Sequence, residues 1–545
     1  MPTWLPEPLR DPRRLVPVLI ALAVLVGAAV YLPSRSGDKE KIAGAPATQS
    51  EVATNETAKS GAPAAAEGGG AQTSGGSSAP YGGTIAGKSA PSGFRASASG
   101  KINRNSYQGV TDKKVKLVVS YQSQPCGQDP DAIIQQALPN PDPAGSIAAA
   151  LKWFSNPQRS LGSDLPRALL DKVGSNSYYG RTVSAVVFNQ DHGDFCPEQS
   201  RNDAKSVLGR NKPFAIVGGG NEWDEEAVAQ KTVKVTGRPA TDRFFRERSP
   251  YLWGPITGAT TINRFLAQYA AKTLAGKNSI NTGDARTGNR KRVFGVIYQD
   301  TPEINRAKDE FLSYLKQRGV NVSKNAVVGY EPKLSTIGVT SRTIVASLMQ
   351  EQVTTILMIM DPIAVQFISQ AADNQRWLPE WITNTYGLMD WSLGPRSFMS
   401  RDQALHTFGI STFWPSKQIR EEQTEEYKAW KAINPRADVP SDWLAWYRGF
   451  KVFFRGLAAA GPGLTPRTLM EGYNTFCAPC ARNDPKIPLT GYGRGDFTAV
   501  DDAHIQRYDP DAPDYAAAKD SWENGQPPKG AYVYLNGGKR YNSFE

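Results

Sequence analysis

Short apolar runs alternate with amphipathic helical patterns along most of this 545-residue chain, and the series occurs twice. The first series has β-branched or apolar runs at 115–120, 183–188 and 214–220. The second has such runs at 293–298 and 355–360. Continuous apolar strands that alternate with amphipathic helices are typical of parallel sheets covered on both faces. The sequence therefore predicts an α/β protein with two doubly wound, Rossmann-like lobes.

The last third of the chain is helical first and strand-like at its end. Trp443, Trp446 and Phe454 lie at helical spacing, which is typical of a helix face that packs into a core. Residues 531–541 resemble a strand pair with an Asn-Gly turn at 536–537, so they predict a hairpin. Strands that follow a helical block indicate that the chain returns to an earlier lobe.

Residues 15–32 form an almost wholly apolar run, which Arg10, Arg13 and Arg14 precede. The length of this run approaches the thickness of a hydrocarbon core, and arginines before it favour an N-terminus that stays inside. The residues after the run make a poor cleavage site. The sequence predicts an uncleaved signal anchor over 1–33 with the body outside the membrane. Secretion after cleavage of the signal is the alternative.

The composition argues against several classes of protein. The chain has 3 His and 4 Cys, too few for a His-built metal site or a small disulfide-rich scaffold. The sequence contains no Gly-x-Ser-x-Gly, Walker A or His-Glu-x-x-His motif, so neither an enzyme nor a cofactor or metal is predicted. The net charge of +11 is spread among interspersed acids, as on a solvated surface. The basic cluster at 286–292 has no interleaved aromatics and predicts an exposed loop, not a nucleic-acid groove.

Four stretches, taken in order, resemble one known family. They are the opening GVTDKKVKL at 109–117, the strand and glycine loop at 214–220, the loop at 235–241 and the long late helix at 443–461. The family is the type I periplasmic binding proteins of the leucine/branched-chain amino acid kind, and the resemblance extends from residue 109 to the C-terminus. It implies two lobes joined by three crossings, with a ligand bound in the cleft between them.

With that resemblance, the sequence divides into a membrane segment, a linker and two discontinuous lobes. The divisions are an anchor at 1–33, a flexible Ala/Gly/Ser-rich linker at 34–108, lobe 1 at 109–257 and 415–490, and lobe 2 at 258–414 and 491–545. The small polar residues of the linker bury too little apolar area to offset the loss of backbone entropy on ordering.

The resemblance also implies ligand contacts from loops that follow the strands of each lobe. The expected contacts in lobe 1 are Tyr121, Gln122, Gly219, Gly220, Asn221, Gly237, Ala240 and Thr241. Those in lobe 2 are Tyr298, Glu303, Asp361 and Tyr386. Amino-acid binders of this family place a lobe 2 carboxylate against the α-ammonium; here it is not at its usual position, and Asp361 is the expected substitute. The alternative is that Asp361 only caps the helix that follows it.

The four cysteines predict two disulfides in an oxidising compartment. Cys477 and Cys480 form a C-x-x-C that follows a helix, which disfavours a thioredoxin-like site. Cys126 and Cys196 both fall in loops after lobe 1 strands and form the second expected pair. The sequence leaves the pairing itself open.

These features predict an extracytoplasmic solute-binding protein of an ABC importer, which binds a small polar solute such as an amino acid or a related compound. The protein is expected to be a monomer held at the cell membrane by a single pass. Its expected partners are the permease and ATPase subunits, and no nucleic acid is expected. A ligand sensor or cell-envelope interaction protein on the same fold is the alternative.

Overall fold

The computed structural model describes residues 50–51, 107–122, 142–190, 197–412, 422, 424–474, 477–478, 490–493, 495–515, 517 and 522–545. The predicted anchor at 1–33 and most of the predicted linker lie outside these ranges, as do Cys126, Cys196 and Cys480. The anchor and the disulfides therefore stay predictions. Among the described residues, the helices are too short or too polar to cross a membrane.

Six strands form the sheet of lobe 1. They are β1 (Ser50–Glu51), β2 (Lys114–Gln122), β3 (Thr182–Gln190), β4 (Ala215–Gly218), β5 (Val233–Val235) and β6 (Leu252–Trp253). Their spatial order is β1-β3-β2-β4-β5-β6. Strands β2 to β6 run parallel to one another, and β1 is antiparallel to β3. This is the parallel sheet that the first apolar series predicts.

Helices connect these strands. They are α1 (Pro143–Phe154), α2 (Pro157–Ser160), α3 (Arg167–Val173), α4 (Pro197–Asn211), α5 (Glu222–Ala229) and α6 (Asp242–Glu247). Several begin at a side chain that accepts a backbone N–H of the first turn, as Asp142 does for α1 and Thr241 for α6. The cap fixes where each helix starts relative to the strand before it.

The middle of the chain builds most of lobe 2. Its strands are β7 (Phe294–Gln299), β8 (Val327–Tyr330), β9 (Thr355–Ile359), β10 (Glu380–Thr383) and β11 (Thr407–Ser411), all parallel. Its helices are α7 (Ala259–Tyr269, continued by a π-helical turn at Ala270–Leu274), α8 (Pro302–Gln317), α9 (Leu334–Gln350), α10 (Pro362–Asn374), α11 (Leu393–Phe398) and α12 (Arg401–Leu405). The chain then returns to lobe 1 with α13 (Glu425–Ile433), α14 (Trp443–Ala460), α15 (Pro466–Tyr473) and the short pair β12 (Cys477–Ala478) and β13 (Thr490–Gly491).

The C-terminal segment completes the lobe 2 sheet with β14 (Ala503–Pro513), β15 (Lys529–Tyr534) and β16 (Arg540–Tyr541). The order is β15-β14-β11-β10-β9-β7-β8, with β16 also on β14. The hairpin predicted at 531–541 is wrong, because β15 and β16 both pair antiparallel with β14 and not with each other. Asn536 and Gly537 instead form a short turn with positive φ, after which the chain resumes along the 11-residue β14.

Both sheets bury apolar side chains on both faces, which explains their continuous apolar strands. In lobe 1, Leu117 and Val119 face one core and Val118 the other. In lobe 2, Leu357 and Met358 likewise face opposite cores. The aromatic stripe of α14 packs in the larger lobe 1 core, as its spacing predicts, although Trp446 is only partly buried.

Three crossings join the lobes. The first and third run side by side, since Gly254 donates its N–H to the Phe497 carbonyl at 2.8 Å and Ala499 to the Ile256 carbonyl at 3.2 Å. The second leaves lobe 2 at Thr412, whose hydroxyl accepts a hydrogen bond from Thr257 of the first crossing at 2.7 Å. Buried residues of the chain switch from the core of one lobe to that of the other near residue 258, between 412 and 424, and after 500. The sequence predicts these switches at 258, 415 and 491.

Candidate functional site

The carboxyl edges of the two parallel sheets face each other at a contact between Thr241 and Glu303. The backbone N–H and the hydroxyl of Thr241 both donate to Glu303 Oε1, at 3.2 and 3.0 Å. Glu303 lies in the first turn of α8, directly after β7, and its residue is only 7% exposed. Arg306 pairs with the other carboxylate oxygen at 3.1 Å. Loops after strands of both lobes therefore meet at this point.

The contact lies beside the first crossing. The Ala240 carbonyl accepts the N–H of Ala259 at 2.8 Å, and the N–H of Asp242 donates to Thr260 Oγ1 at 3.0 Å. Ala240, Thr241 and Glu303 were all expected to contact a solute. The structure brings these three together, and the donors of Thr241 are satisfied by Glu303.

The loop after β4 approaches its neighbours so closely that it requires glycine. Gly218 and Gly219 have φ of +81° and +73°. A Cβ on Gly218 would lie 2.2 Å from the Ser120 carbonyl oxygen and 3.0 Å from the ring of Trp446. The loop therefore exposes backbone rather than side chains at the carboxyl edge of lobe 1. Trp446 was expected only as part of a core stripe, yet its partly buried ring covers this edge.

A buried ion pair is hydrogen-bonded to the backbone of the same loop. Lys234 of β5 donates to Asp224 Oδ1 at 2.7 Å and to the Gly220 carbonyl at 2.6 Å, and both charged side chains are fully buried. Arg238 lies 3.6 Å from the other oxygen of Asp224, with 25% of its side chain exposed. Asp224 thus faces two cations, and the first turn of α5 adds the acids Glu222 and Glu225 beside them.

The remaining lobe 1 candidates lie around this loop. Tyr121 and Gln122 end β2, and Tyr121 is partly buried. Asn221 precedes α5 and is exposed, without a side-chain cap bond. Gly237 is exposed, and a Cβ there would meet nothing within 4 Å. Their contacts with a solute stay predictions.

Asp361 follows β9 and caps α10 with its side chain. Its Oδ1 accepts the N–H of Ala364 at 2.9 Å, and its Oδ2 accepts the hydroxyl of Tyr330. Burial and the neighbouring carboxylate raise the pKa of Tyr330 well above its usual range, which keeps its hydroxyl a donor. The structure thus shows the cap that the sequence offered as the alternative role. A small pocket beside Asp361 is lined by lobe 2 residues, Lys333 among them.

The other two lobe 2 candidates differ in exposure. Tyr298 is the penultimate residue of β7, is partly buried, and has Lys308 Nζ 5.0 Å from its ring centroid. Tyr386 is buried in the lobe 2 core, where its hydroxyl donates to Asn263 Oδ1 at 3.2 Å. Tyr298 is therefore placed at the sheet edge, whereas the Tyr386 ring points into its own lobe.

A hydroxyl chain joins the loop after β10 to the crossings. The hydroxyl of Thr385 lies 2.7 Å from that of Thr412, which also bonds Thr257. Thr385 and Ser411 donate to Asp390 Oδ2 at 3.0 and 2.6 Å. Sequence reasoning missed this network, because its members lie far apart along the chain and only the fold assembles them.

The third crossing is fixed by a second buried pair. Arg540 of β16 bonds Asp502 at 2.8 Å, with both side chains fully buried, and donates to the Thr412 carbonyl at 3.0 Å. The C-terminal strand thus binds the second and third crossings together. The lobes can move relative to each other only by deforming this bundle of crossings.

No protein-family model matches the chain, and no curated protein matches it in sequence. Solved structures do resemble it. A solute-binding protein of an ABC transporter from R. palustris, in complex with 4-hydroxybenzoate, is 13% identical and has a TM-score of 0.52. The alignment covers 79% of this chain and 98% of that protein. Another, from Rhodopseudomonas palustris BisB5 in complex with 3,4-dihydroxy benzoic acid, is 12% identical with a TM-score of 0.51, and the alignment covers 79% of this chain and 98% of that protein. A possible leucine/isoleucine/valine-binding protein from Rhodopirellula baltica is 10% identical with a TM-score of 0.50, and the alignment covers 78% of this chain and 96% of that protein.

The chain therefore has the fold of the type I periplasmic binding proteins. The predicted α/β architecture with two parallel-sheet lobes is confirmed. At these identities the likeness concerns the fold alone, and the solute has to be inferred from this chain's own residues.

Proposed function

We propose that this protein is the solute-binding component of an ABC importer and binds a small polar solute between its lobes. The observation that carries the proposal is the meeting of two parallel sheets, carboxyl edge to carboxyl edge, at Thr241 and Glu303, beside three bundled crossings. In such a fold a solute that touches both lobes prefers the closed state and shifts the population towards it. Permease and ATPase subunits are the proposed partners of that closed state.

The residues at the cleft favour a solute with an anionic end and an apolar body. Arg238 supplies positive charge, while Tyr121, Trp446 and Tyr298 supply partly buried aromatic surface. An amino acid fits this description, and so does an aromatic acid. Two of the similar structures hold hydroxybenzoates, which supports the aromatic acid as the first compound to test.

Binding and closure are the whole of the proposed activity, without catalysis. The protein is proposed to act outside the cytoplasm as a monomer, tethered to the membrane by residues 1–33. The two disulfides are proposed to form in that oxidising compartment.

A thermal-shift screen of the full chain tests this proposal, because a ligand that binds only the folded state raises the melting temperature. The probes are 4-hydroxybenzoate, L-leucine and glucose. We expect a carboxylate probe to raise the melting temperature and glucose to leave it unchanged. Arg238→Ala should abolish the shift, whereas Arg243→Ala, at an exposed arginine of α6, should keep it. Unchanged melting with every carboxylate would contradict the proposed function.

A further inference from the structure

A basic surface lies at the end of lobe 2 that faces away from the cleft. The loop between α7 and β7 crosses the amino-terminal ends of the parallel strands: Gly283 donates its N–H to the Leu378 carbonyl at 3.0 Å, and Asn281 to Glu380 Oε1 at 3.1 Å. His406, just before β11, bonds the Asn281 carbonyl. Since these partners precede β10 and β11, the loop occupies the edge opposite the carboxyl ends.

This loop is held in place by its own bonds. Ser279 donates its hydroxyl to the Thr287 carbonyl at 2.8 Å, and Asn278 pairs with Lys291 in an antiparallel bridge. At its end, Arg292 bonds Glu380 at 2.7 Å, with both side chains almost fully buried. The loop is thus a built surface that presents its remaining side chains in fixed positions.

The side chains it presents are mainly cations. We call this surface the basic pole; its exposed cations are Lys272, Lys277, Arg286, Arg290, Lys291 and Arg376. Arg286 joins the loop to Arg376, whose carbonyl accepts its guanidinium at 2.9 Å. The acids nearby are Asp284, which is buried and paired with Arg286, Glu380, which is buried and paired with Arg292, Asp373, which accepts from Gln403, and Asp402 on α12. Positive charge therefore predominates.

Two aliphatic side chains project from the basic pole. Ile280 is 74% exposed, and Leu405, the neighbour of His406, is 50% exposed. Asn281 and His406 are hydrogen-bonded, so the two aliphatic residues belong to one surface. Exposed aliphatic residues among lysines and arginines are the features with which a peripheral surface contacts anionic lipid: the cations meet the phosphates and the aliphatic groups enter the headgroup boundary.

We propose that the basic pole docks lobe 2 onto an anionic phospholipid surface, with Ile280 at the level of the headgroups. The charge pattern matches the phosphates, and the apolar run at 15–32 of the same sequence predicts that the body works beside a membrane. Nucleic acid fits less well, because aromatic side chains for base stacking do not interleave the cations of 272–291. Docking at this pole leaves the cleft at the opposite edge of the sheet accessible.

Hydrogen–deuterium exchange on the full chain, bound to vesicles, tests the proposal at the segment concerned. Vesicles of phosphatidylcholine alone are compared with vesicles that also contain phosphatidylglycerol. We expect exchange of residues 277–291 to slow only on the anionic vesicles, and high salt to remove that protection because it screens the charges. Reading the loop itself separates this contact from any effect of residues 15–32.

Matched charge reversals make the test specific. Lys277→Glu, Arg290→Glu and Lys291→Glu together should abolish the protection without changing the melting temperature or any solute-induced shift. The control, Lys205→Glu, Arg210→Glu and Lys231→Glu, reverses exposed cations of lobe 1 and should retain it. Equal protection on neutral vesicles, or its loss in the control, would overturn the proposal. Protection by polyglutamate but not by vesicles would assign the pole to an acidic protein instead.

Discussion

Thr241 of lobe 1 donates its backbone N–H and its hydroxyl to the same carboxylate oxygen of Glu303 in lobe 2. Hydrogen bonds to an ionised carboxylate are roughly twice as strong as those between neutral groups. The hydroxyl also accepts the N–H of Phe244 at 3.3 Å and so caps α6. One side chain therefore fixes both the start of a lobe 1 helix and the position of lobe 2 beside the first crossing.

We expect Glu303→Ala to lower the free energy of unfolding by about 1.5–3 kcal/mol, the range for hydrogen bonds to a charged group. Thr241→Val should cost about 1 kcal/mol or more, because it also removes the helix cap. The double variant should lose less than the sum, since both changes remove the bond from the Thr241 hydroxyl to Glu303. Denaturant unfolding of the four proteins measures this coupling. Strict additivity would show that the hydroxyl bond contributes nothing. Glu247→Ala, in the exposed pair with Arg243, provides a surface control.

The loop after β4 offers a sharper test of local geometry. Gly218→Ala should destabilise the protein by about 1–3 kcal/mol, because its φ is positive and its Cβ would overlap the Ser120 carbonyl. Gly237→Ala should be nearly neutral, since a Cβ there meets open space. Thermal unfolding of the two variants gives the comparison. Equal melting temperatures would mean that the loop relaxes without cost.

Asp361 caps α10, and one pair of variants separates that role from the proposed contact with a solute. Asp361→Ala removes the cap of α10, worth about 1 kcal/mol, and leaves the buried Tyr330 hydroxyl without its acceptor. Asp361→Asn keeps an oxygen for either bond, so its loss of stability should be smaller. Melting temperature and solute affinity are measured on both variants. Unchanged affinity in both would restrict Asp361 to the structural role, and weaker affinity in Asp361→Asn would place it at the solute.

The sheets could be predicted because burial on both faces demands apolar residues at consecutive positions. The run at 355–360 predicts a buried strand, and β9 is buried at every residue. The outcome of the turn at Asn536 and Gly537 could not be predicted correctly, because their positive φ suits a hairpin and an interruption within one strand direction equally well. Which of the two forms depends on pairing with β14, and β14 is brought beside these residues only when the sheet forms.

The candidate site was predictable to the level of loops but not of partners. The rule that ligands bind at the carboxyl ends of parallel strands selects the loops that contain Thr241 and Glu303. It cannot show that these two satisfy each other, or that Trp446 leaves the core stripe to cover Gly218. Such pairings depend on the angle at which two separately folded sheets meet, and one sequence carries no local signal for it.

The buried carboxyl group of Asp390 makes the protein less stable as the pH rises. Burial raises its pKa to about 6 from an ordinary 3.8. Its Oδ1 has no hydrogen-bond partner within the described part of the chain, which is consistent with a costly charged form. Between about pH 4 and 6 the folded state retains a proton that the unfolded chain has released, so this group's contribution to stability falls as pH rises through that window.

We expect Asp390→Asn to remove this dependence, because its amide oxygen still accepts from Ser411 or Thr385 while the buried charge is gone. The variant and the wild type should be equally stable near pH 4. By pH 8 the variant should be the more stable by up to about 3 kcal/mol, the equivalent of the pKa difference. Denaturant unfolding at pH 4, 6 and 8 measures the difference. Asp511→Asn is the control, since this exposed carboxylate pairs with Arg401 and its lowered pKa predicts a small effect of opposite sign. Parallel pH profiles for Asp390→Asn and the wild type would show that the Asp390 carboxylate is already stabilised in its charged form by the hydroxyls around it.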